Sequence, residues 1–250
     1  MSNEMIELIT SHRSTRKYTD QPIADEILTA LFDAAQWAPS SHLVQAYSII
    51  VVKNQEMKQK LSELCAQAGG SQKYVATCPV FFVFCADYHR LKMTCDMHET
   101  AFEIDEVENL IVGAVDTALA AENVLLAARS FGLGGVMIGG IRNNPDDIVE
   151  LLKLPRYTIP MMGLCLGYPA EDPGQKPRLP QRVVVHEEVY NEKFLAEGLE
   201  EYESITSDYY SKRTNGRVTT GWTHQMAQYL SHPRRAYLKD FIVRQGIGLK

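Results

Sequence analysis

The sequence predicts a fold that mixes helices and strands, with four central strands beside one long apolar helix. The β-branched runs 47–53 (YSIIVVK) and 80–85 (VFFVFC) predict two buried strands, and 135–138 and 161–166 predict two more. Apolar residues dominate the stretch from about 107 to 130, which predicts a helix that is apolar on most faces. The sheet is one surface that can bury such a helix, and a second subunit is another.

The other helices follow from apolar spacing and from glycine or proline at their ends. The long helix ends at Gly132. Four further helices are predicted: 6–11, an amphipathic helix whose apolar residues lie between 27 and 35 after Pro22, a polar helix over 56–68 that ends at Gly69-Gly70, and 145–152 with proline in its first turn.

The last 70 residues differ in composition from the rest of the chain. Residues 181–250 are rich in Tyr, Glu, Arg and Lys, and their core signal is weak apart from Val183-Val184-Val185. We therefore expect a single domain over 1–250, in which 181–250 is a C-terminal arm that packs on the core and on a partner subunit.

Composition excludes several classes of function. The chain has 250 residues, 45% of them apolar, which suffices for a substantial core. Its net charge of −6, with acids and bases interspersed, argues against nucleic-acid binding. The longest apolar stretch carries Asp116, Glu122 and Arg129, so we expect a buried core helix and no membrane span. The first seven residues lack the layout of a signal peptide, and we expect a cytoplasmic protein.

The cysteines are odd in number and irregularly spaced. Five of them without a framework predict reduced, cytosolic thiols. Cys85, His89, Cys95 and His98 leave a zinc site open, but the paired Cys-x-x-Cys that usually opens such a site is missing. A mobile surface loop is the favoured interpretation of this segment.

Two basic segments predict a phosphorylated cofactor. Residues 12–17 (HRSTRK) hold four cationic or ionisable side chains and two hydroxyls, which suit a dianionic phosphate. Far downstream, Lys176 and Arg178 form a second basic pair that Pro177 and Pro180 stiffen. A multi-oxygen anion is the natural partner for both pairs.

The glycines of 132–140 (GLGGVMIGG) do not form a dinucleotide-binding fingerprint, because they close a helix and end a strand. Gly132 is interpreted as a helix C-cap. Gly139-Gly140 is either a plain turn or a backbone without side chains against which a flat ring such as a flavin can lie.

Two further segments have both a structural and a functional interpretation. The hydroxyl-rich stretch 39–45 (PSSHLVQ) is either a connector or a source of hydrogen bonds to a ribityl chain. Arg213 and Arg217 flank Asn215-Gly216, which predicts either a solvated basic turn or a clamp for the 2′-phosphate of NADPH.

Taken together, five motifs resemble the flavin-dependent nitroreductase superfamily, and specifically its NADPH-linked branch of oxygen-insensitive nitroreductases and flavin reductases. They are 12–16 (HRSTR), 40–45, 72–74 (QKY), 134–142 (GGVMIGGIR) and 176–180 (KPRLP), and the segment 209–222 is similar to that branch as well. The resemblance implies an α+β fold with a central, mainly antiparallel sheet flanked by helices. It also implies an intertwined homodimer that binds two FMN molecules at its interface.

The resemblance also implies roles for individual residues. It places His12, Arg13, Ser14, Lys176 and Arg178 at the FMN phosphate and ribityl end, Arg16 and Gln72 at the pyrimidine edge, Gly139 and Gly140 at N5 and O4, Ser40, Ser41 and Gln45 in the pocket from the other chain, and Tyr74, Met137 and Ile138 among the remaining cofactor contacts. The resemblance also places Arg213 and Arg217 at the 2′-phosphate of NADPH. No residue is assigned as a catalytic acid or nucleophile, since the flavin performs the chemistry.

The implied reaction carries hydride from NADPH through FMN to nitroaromatics, quinones or free flavin by a ping-pong mechanism. His42 stands where the family often has a small hydroxyl residue, Met137 replaces a common aromatic, and 89–105 follows no family pattern. The alternatives are a dehalogenase or flavin-fragmenting enzyme of the same fold, or a non-catalytic protein that binds a phosphorylated metabolite. A zinc-dependent regulatory protein is a more distant one.

Overall fold

The computed structural model describes residues 2–66 and 70–248. The chain divides into two compact units. The larger unit consists of Met1–Pro173 together with Arg235–Lys250, and the smaller unit consists of Gly174–Arg234. All strands of the sheet belong to the larger unit.

One antiparallel sheet forms the centre of the larger unit. Its strands are β1 (Tyr47–Val52), β2 (Val80–Asp87), β3 (Gly134–Ile138) and β4 (Thr158–Gly167). They lie in the order β1-β2-β4-β3, and all three pairings are antiparallel. The predicted α+β class, with a mainly antiparallel sheet, is therefore confirmed. β1 and β3 form opposite edges, which matters for the candidate site.

Helices flank this sheet and make up the smaller unit. In chain order they are α1 (Glu4–Thr10), α2 (Asp25–Gln36), α3 (Gln55–Leu64), α4 (Lys73–Thr77), α5 (His89–Met97), α6 (Val107–Ser130), α7 (Pro145–Leu152), α8 (Gln181–Val184), α9 (Leu195–Arg213), α10 (Trp222–Leu230) and α11 (Leu238–Arg244). The predicted bounds of α6 and α7 are confirmed. The helix predicted over 56–68 is shorter than expected, because α3 ends at Leu64; residues 67 and 68 of the prediction, and Gly69 of the Gly69-Gly70 pair expected to end the helix, lie outside the described residues.

Apolar packing covers both faces of the sheet. Successive residues of β2 point to opposite faces, so Phe82 and Phe84 pack with α2 and α6 while Phe81 and Val83 pack with α3 and α7. Every residue of β2 is buried. A strand covered on both faces gives the continuous apolar run that the sequence shows.

The end of α6 is set by a glycine. Gly132 adopts a φ of +76°, its N–H donates to the Arg129 carbonyl at 3.0 Å, and the Leu133 N–H donates to the Ala128 carbonyl at 3.0 Å. These two bonds form a Schellman motif, in which the residue with positive φ is usually glycine. The C-cap interpretation of Gly132 is confirmed.

Among the described residues, α6 is the one helix long and apolar enough to cross a membrane, with a mean hydropathy of 1.6. Its buried face packs into the core through Ala120, Ala121 and Val124. The same face carries the buried, hydrogen-bonded carboxylate of Asp116. These contacts are those of a core helix.

The segment that follows β2 differs from its prediction. The expected mobile loop begins with α5, whose first residue donates its N–H to Asp87 Oδ1 at 2.9 Å. Arg90 of α5 donates to the Tyr47 carbonyl at 2.6 Å, which ties the helix to the start of β1. No cluster of three potential metal-binding side chains occurs in the part of the chain that the structure describes. All five cysteines are free thiols, and burial raises the pKa of Cys65 to about 12.

The valine run of the C-terminal arm does not form a core. It lies in α8 and just beyond, where Val184 and Val185 are 60% and 56% exposed. Val183 is half-buried and lies so close to Gly198 of α9 that a Cβ at that glycine would come within 3.0 Å of it.

Candidate cofactor site

The basic segment lies along the outer edge of β3. Ser14 forms a parallel bridge with Gly135, and the Thr15 N–H donates to the Gly135 carbonyl at 2.9 Å. A Cβ at Gly134 would come closer than 3.0 Å to the Thr15 side chain, so this approach requires glycine. Tyr18 closes the segment by donating its hydroxyl to the Thr15 carbonyl at 2.7 Å.

The two arginines of this segment have different neighbours. Arg13 forms an ion pair with Asp172 and lines a cavity of about 500 Å³ that Thr15 and Arg129 also line. Arg16 lies over the ring of Tyr74, with 5.8 Å from the guanidinium carbon to the ring centroid. His12 and Ser14 are half-buried beside them. Two guanidinium groups therefore lie near one edge strand.

Of the polar residues ahead of β2, Tyr74 lies close to Arg16. Gln72 is the N-cap residue of α4, and its backbone is fixed by two bonds with Ser62: its N–H donates to the Ser62 carbonyl at 2.9 Å, and its carbonyl accepts from the Ser62 hydroxyl at 3.0 Å. One turn of this short helix places Tyr74 against the Arg16 guanidinium. The structure thus brings Arg16 and Tyr74 together, with Gln72 two residues from the latter.

β3 runs from this segment to the glycine turn. Gly139 lies four positions after Gly135, a distance of about 13 Å at the usual rise of a strand. Ile138 is buried, whereas Met137 and Gly139 are half-buried. The predicted turn after β3 is confirmed as a 3₁₀ turn over Gly139–Arg142.

The two glycines of the turn have different reasons to be glycine. A Cβ at Gly140 would come closer than 3.0 Å to the carbonyl oxygen of Cys65, so packing within the chain accounts for that position. A Cβ at Gly139 would meet only the end of the Arg142 side chain, at 3.3 Å, and Gly139 does not have a positive φ. Among the described residues, the end of the Arg142 side chain is the closest contact that a side chain at position 139 would make.

A side chain from the C-terminal segment holds this turn. Arg235 donates to the Gly139 carbonyl at 3.1 Å and to Asn143 Oδ1 at 2.9 Å. The Asn143 amide in turn donates to the Cys65 carbonyl at 2.9 Å. Sequence reasoning missed Arg235, although a basic pair directly after Pro233 was a signal that could have drawn attention to it.

The hydroxyl-rich turn before β1 is held by a buried acid. The carboxylate of Asp116 accepts from the Ser40 hydroxyl at 2.7 Å and from the Ala46 N–H at 3.0 Å. The Ser40 oxygen itself accepts from the Gln45 N–H at 2.7 Å. Sequence reasoning treated Asp116 only as a charge that interrupts an apolar helix. A single acid on the buried face of such a helix was the signal for a fixed polar partner.

Within one chain, the predicted cofactor residues form two groups at opposite edges of the sheet. Ser40, Ser41 and Gln45 precede β1, whereas Ser14 and its neighbours lie beside β3. Three inter-strand spacings separate these edges, which is about 14 Å.

The predicted phosphate-binding pair of the smaller unit is exposed. Arg178 donates to the Lys176 carbonyl at 3.0 Å, and the Pro177 carbonyl accepts from the Tyr202 hydroxyl at 3.0 Å. These bonds fix the backbone that carries both cations.

The second basic group of the smaller unit lies at the end of α9. Arg213 donates to the Tyr209 hydroxyl at 2.8 Å, and Arg217 donates to the Thr214 carbonyl at 3.2 Å. Asn215 and Gly216 between them have φ values of 51° and 77°, so the predicted Asn-Gly turn is confirmed. Stacking on Tyr209 keeps the Arg213 guanidinium exposed and oriented.

The arrangement in the larger unit suits FMN. Cationic and hydroxyl side chains at the start of β3 fit a phosphate and its chain. At the other end of the strand, Gly139 leaves a backbone open to a flat ring. Arg16 supplies a fixed positive charge beside an aromatic side chain.

Comparison with known proteins supports the same conclusion. The model of the nitroreductase family matches residues 9–168, and the model of the nitroreductase family C-terminal domain matches residues 176–250. The chain is 41% identical to the FMN reductase (NAD(P)H) of Bacillus subtilis, with 99% of each chain covered. It is 40% identical to the oxygen-insensitive NADPH nitroreductase of Salmonella typhimurium, with 96% of this chain and 97% of the relative covered.

Solved structures agree with these relatives. The hypothetical oxidoreductase YcnD of Bacillus subtilis matches with a TM-score of 0.96 at 41% identity over the whole of both chains. The NADPH:FMN oxidoreductase of Vibrio harveyi in complex with NAD+ matches with a TM-score of 0.87 at 36% identity over 98% of both chains. This chain belongs to the nitroreductase family.

Proposed function

We propose that this protein is an NADPH-dependent, FMN-containing oxidoreductase that reduces nitroaromatics, quinones or free flavin. The observation that carries the proposal is Gly139, which lies at the end of a strand that begins beside a cationic segment and where, among the described residues, a Cβ would meet only the end of the Arg142 side chain. The names of the relatives, which include FMN reductases and an NADPH nitroreductase, support the same activity.

The chain's own residues bind and orient the cofactor in this proposal. Arg13, with His12 and Ser14, holds the phosphate end, and the Arg13–Asp172 ion pair opens when the phosphate takes the place of the carboxylate. Lys176 and Arg178 are the phosphate-binding cations proposed for the smaller unit. Gln72 and Arg16 hold the pyrimidine edge of the ring.

Bound FMN would supply the redox chemistry, taking hydride from NADPH and passing two electrons to the acceptor. Arg16 would stabilise negative charge on the pyrimidine side of the ring, because its guanidinium is held in place before the charge develops. The peptide N–H groups of Gly139 and Gly140 would orient the opposite side of the ring. Arg213 would bind the 2′-phosphate of NADPH, since a guanidinium group matches its oxygens.

We also propose a homodimer, which the distribution of apolar and polar residues supports. Val107, Ile111, Val115 and Leu119 recur every four residues on α6 and are 36–52% exposed, so they form an apolar row without cover in one chain. The separation of the two residue groups by about 14 Å supports a site to which the β1 edge of one chain and the β3 edge of its partner contribute. The exposed Val184 and Val185 support an arm that also packs on the partner.

Anaerobic reduction of the purified protein tests the proposed function. NADPH is expected to bleach the flavin absorbance of the yellow protein, and a nitroaromatic, a quinone or free FMN is expected to restore it. A colourless protein that does not take up added FMN would contradict the proposal and favour a metabolite-binding protein.

Sedimentation equilibrium tests the homodimer, which a monomer at micromolar concentration would contradict. Five free cysteines support a reducing, cytoplasmic location.

A further inference from the structure

We propose that Asp116 is a positioning residue, whose buried carboxylate holds the turn Ser40–Ala46 in the conformation that presents Ser40, Ser41 and Gln45 to the cofactor. The inference rests on the proposed function for what the turn contacts. The hydrogen bonds that hold the turn are independent of it.

The turn adopts a backbone that its residues do not favour. His42, Leu43 and Gln45 have φ values of 48°, 54° and 52°, although the segment 40–46 contains no glycine. L-residues rarely adopt positive φ, and three such residues within four positions persist only where the surroundings fix them. Strained backbone of this kind concentrates at ligand-binding sites.

Asp116 is the group that fixes the turn. Its Oδ2 accepts from the Ser40 hydroxyl at 2.7 Å and from the Ala46 N–H at 3.0 Å, so one oxygen joins both ends of the turn. Its Oδ1 accepts from the Ser41 N–H at 3.4 Å. The residue is 1% exposed, and all three of these bonds go to the turn. A buried carboxylate bonded in this way stabilises one conformation of the turn, because any other conformation leaves the carboxylate without hydrogen-bond donors.

Arg90 holds the turn from its outer side. It donates to the Gln45 carbonyl at 3.1 Å, to the Tyr47 carbonyl at 2.6 Å and to the Ser48 hydroxyl at 2.7 Å. The backbone is therefore gripped between α6 and α5, while Leu43 is 76% exposed and His42 and Gln45 are exposed beside it. A turn with a fixed backbone and outward side chains is suited to contact a ligand outside its own chain.

The test uses Asp116→Asn, which keeps the shape of the side chain. An amide has one acceptor oxygen and one NH2 group, so it cannot accept at both carboxylate positions, and in either orientation its NH2 group faces an N–H donor of the turn, Ala46 or Ser41. Thr117→Val is the matched control: Thr117 is the next residue of α6, is also 1% exposed, and donates only to the Gly113 carbonyl of its own helix, at 2.6 Å.

The first measurement is amide hydrogen exchange of the cofactor-free protein. Asp116→Asn is expected to raise the exchange rates of residues 41–46 at least tenfold, whereas Thr117→Val is expected to leave them at the wild-type values. Unchanged rates in Asp116→Asn would overturn the claim that Asp116 holds the turn. Should Asp116→Asn not fold, Ser40→Ala removes one of the bonds to Asp116 and serves for the same comparison.

The second measurement is the FMN dissociation constant by fluorescence titration. Asp116→Asn is expected to raise this dissociation constant at least tenfold. Thr117→Val is expected to leave it within twofold of the wild-type value, even if its melting temperature falls as far as that of Asp116→Asn. Faster exchange with an unchanged dissociation constant would overturn the positioning role. Failure of the wild-type protein to bind FMN would instead refute the proposed function, so the two outcomes are distinguishable.

Discussion

Alanine at Gly139 and at Gly140, one at a time, separates packing within the chain from contact with a ligand. The two residues are adjacent and chemically identical, and each substitution adds one methyl group. At Gly140 the methyl group collides with the Cys65 carbonyl oxygen, and backbone cannot move aside as a side chain can. The same oxygen accepts the Asn143 amide at 2.9 Å, so displacing it also weakens that hydrogen bond.

These contacts give the expected magnitudes. Overpacking costs about 1–3 kcal/mol and the weakened hydrogen bond about 1 kcal/mol, so Gly140→Ala is expected to lose about 2–4 kcal/mol of unfolding free energy. At this chain length the loss lowers the melting temperature by roughly 4–16 °C. In Gly139→Ala the methyl group meets the end of the Arg142 side chain at 3.3 Å, which a small shift of that side chain relieves, and the substitution lowers the entropy of the unfolded chain, so the unfolding free energy is expected to change by less than about 1 kcal/mol.

FMN affinity is expected to fall more in Gly139→Ala than in Gly140→Ala, which is the reverse of the order expected for stability. A methyl group at position 139 lies where the proposal places the flavin ring, and a tenfold loss of FMN affinity corresponds to about 1.4 kcal/mol. Thermal unfolding of the cofactor-free proteins and fluorescence titration with FMN measure the two effects separately. A Gly139→Ala protein that binds FMN as the wild type does would refute the argument, and so would a Gly140→Ala protein of unchanged stability.

Three further predictions concern single charged residues. Arg16→Ala is expected to weaken FMN binding and slow flavin reduction in stopped-flow experiments, whereas Lys17→Ala, a neighbouring cation paired with an exposed acid, is expected to change neither; equal behaviour of the two would exclude the role of Arg16. Arg213→Ala is expected to raise the KM for NADPH about 10–100-fold, from the loss of roughly 1.5–3 kcal/mol of charged hydrogen bonding, with little change for NADH; Lys212→Ala is the control, and equal effects on both cosubstrates would mean that no 2′-phosphate contact exists. Burial raises the pKa of Glu203, but hydrogen bonds at the start of α10 outweigh this effect and hold the pKa below 4.5. The stabilisation that these bonds give the fold is therefore complete above pH 4.5 and is lost as the pH falls through the lower pKa of the folded state. Glu203→Gln is therefore expected to lower the unfolding free energy at pH 7 by about 1 kcal/mol, as the loss of a helix cap does, and to have a smaller effect at acid pH; a constant difference in urea unfolding from pH 7 to pH 3 would contradict this.

The parts of the fold that sequence reasoning predicted are those with local signals. The end of α6 follows from Gly132, because glycine has no Cβ and adopts a positive φ without steric cost. The start of α7 follows from Pro145, since proline suits the first turn of a helix. β4 is longer than predicted. The predicted strand starts after Pro160, and proline argues against a strand, whereas the observed strand contains Pro160. The register shift between Phe84 and Cys85, opposite Pro160, accommodates it.

The parts that sequence reasoning missed depend on contacts between distant residues. α5 is polar, and what anchors it is the bonding of Arg90 to the start of β1, 43 residues away. The positive φ values of the turn before β1 have no local signal, because its residues favour other conformations and Asp116 imposes them from another element. Arg235 reaches Gly139 across 96 residues of sequence, and no spacing rule predicts such a pairing. Packing within the chain explains Gly140, and only the coordinates separate its reason from that of Gly139.

The strand order β1-β2-β4-β3 has a genetic consequence if each site draws on two chains. A protein with Arg16→Ala and a protein with Ser40→Ala are then defective at different edges of the sheet. In a mixed dimer both lesions fall on one site, and the other site is assembled from intact residues. Coexpression of two inactive alleles should therefore restore about one quarter of the working sites, as random pairing of two chains gives.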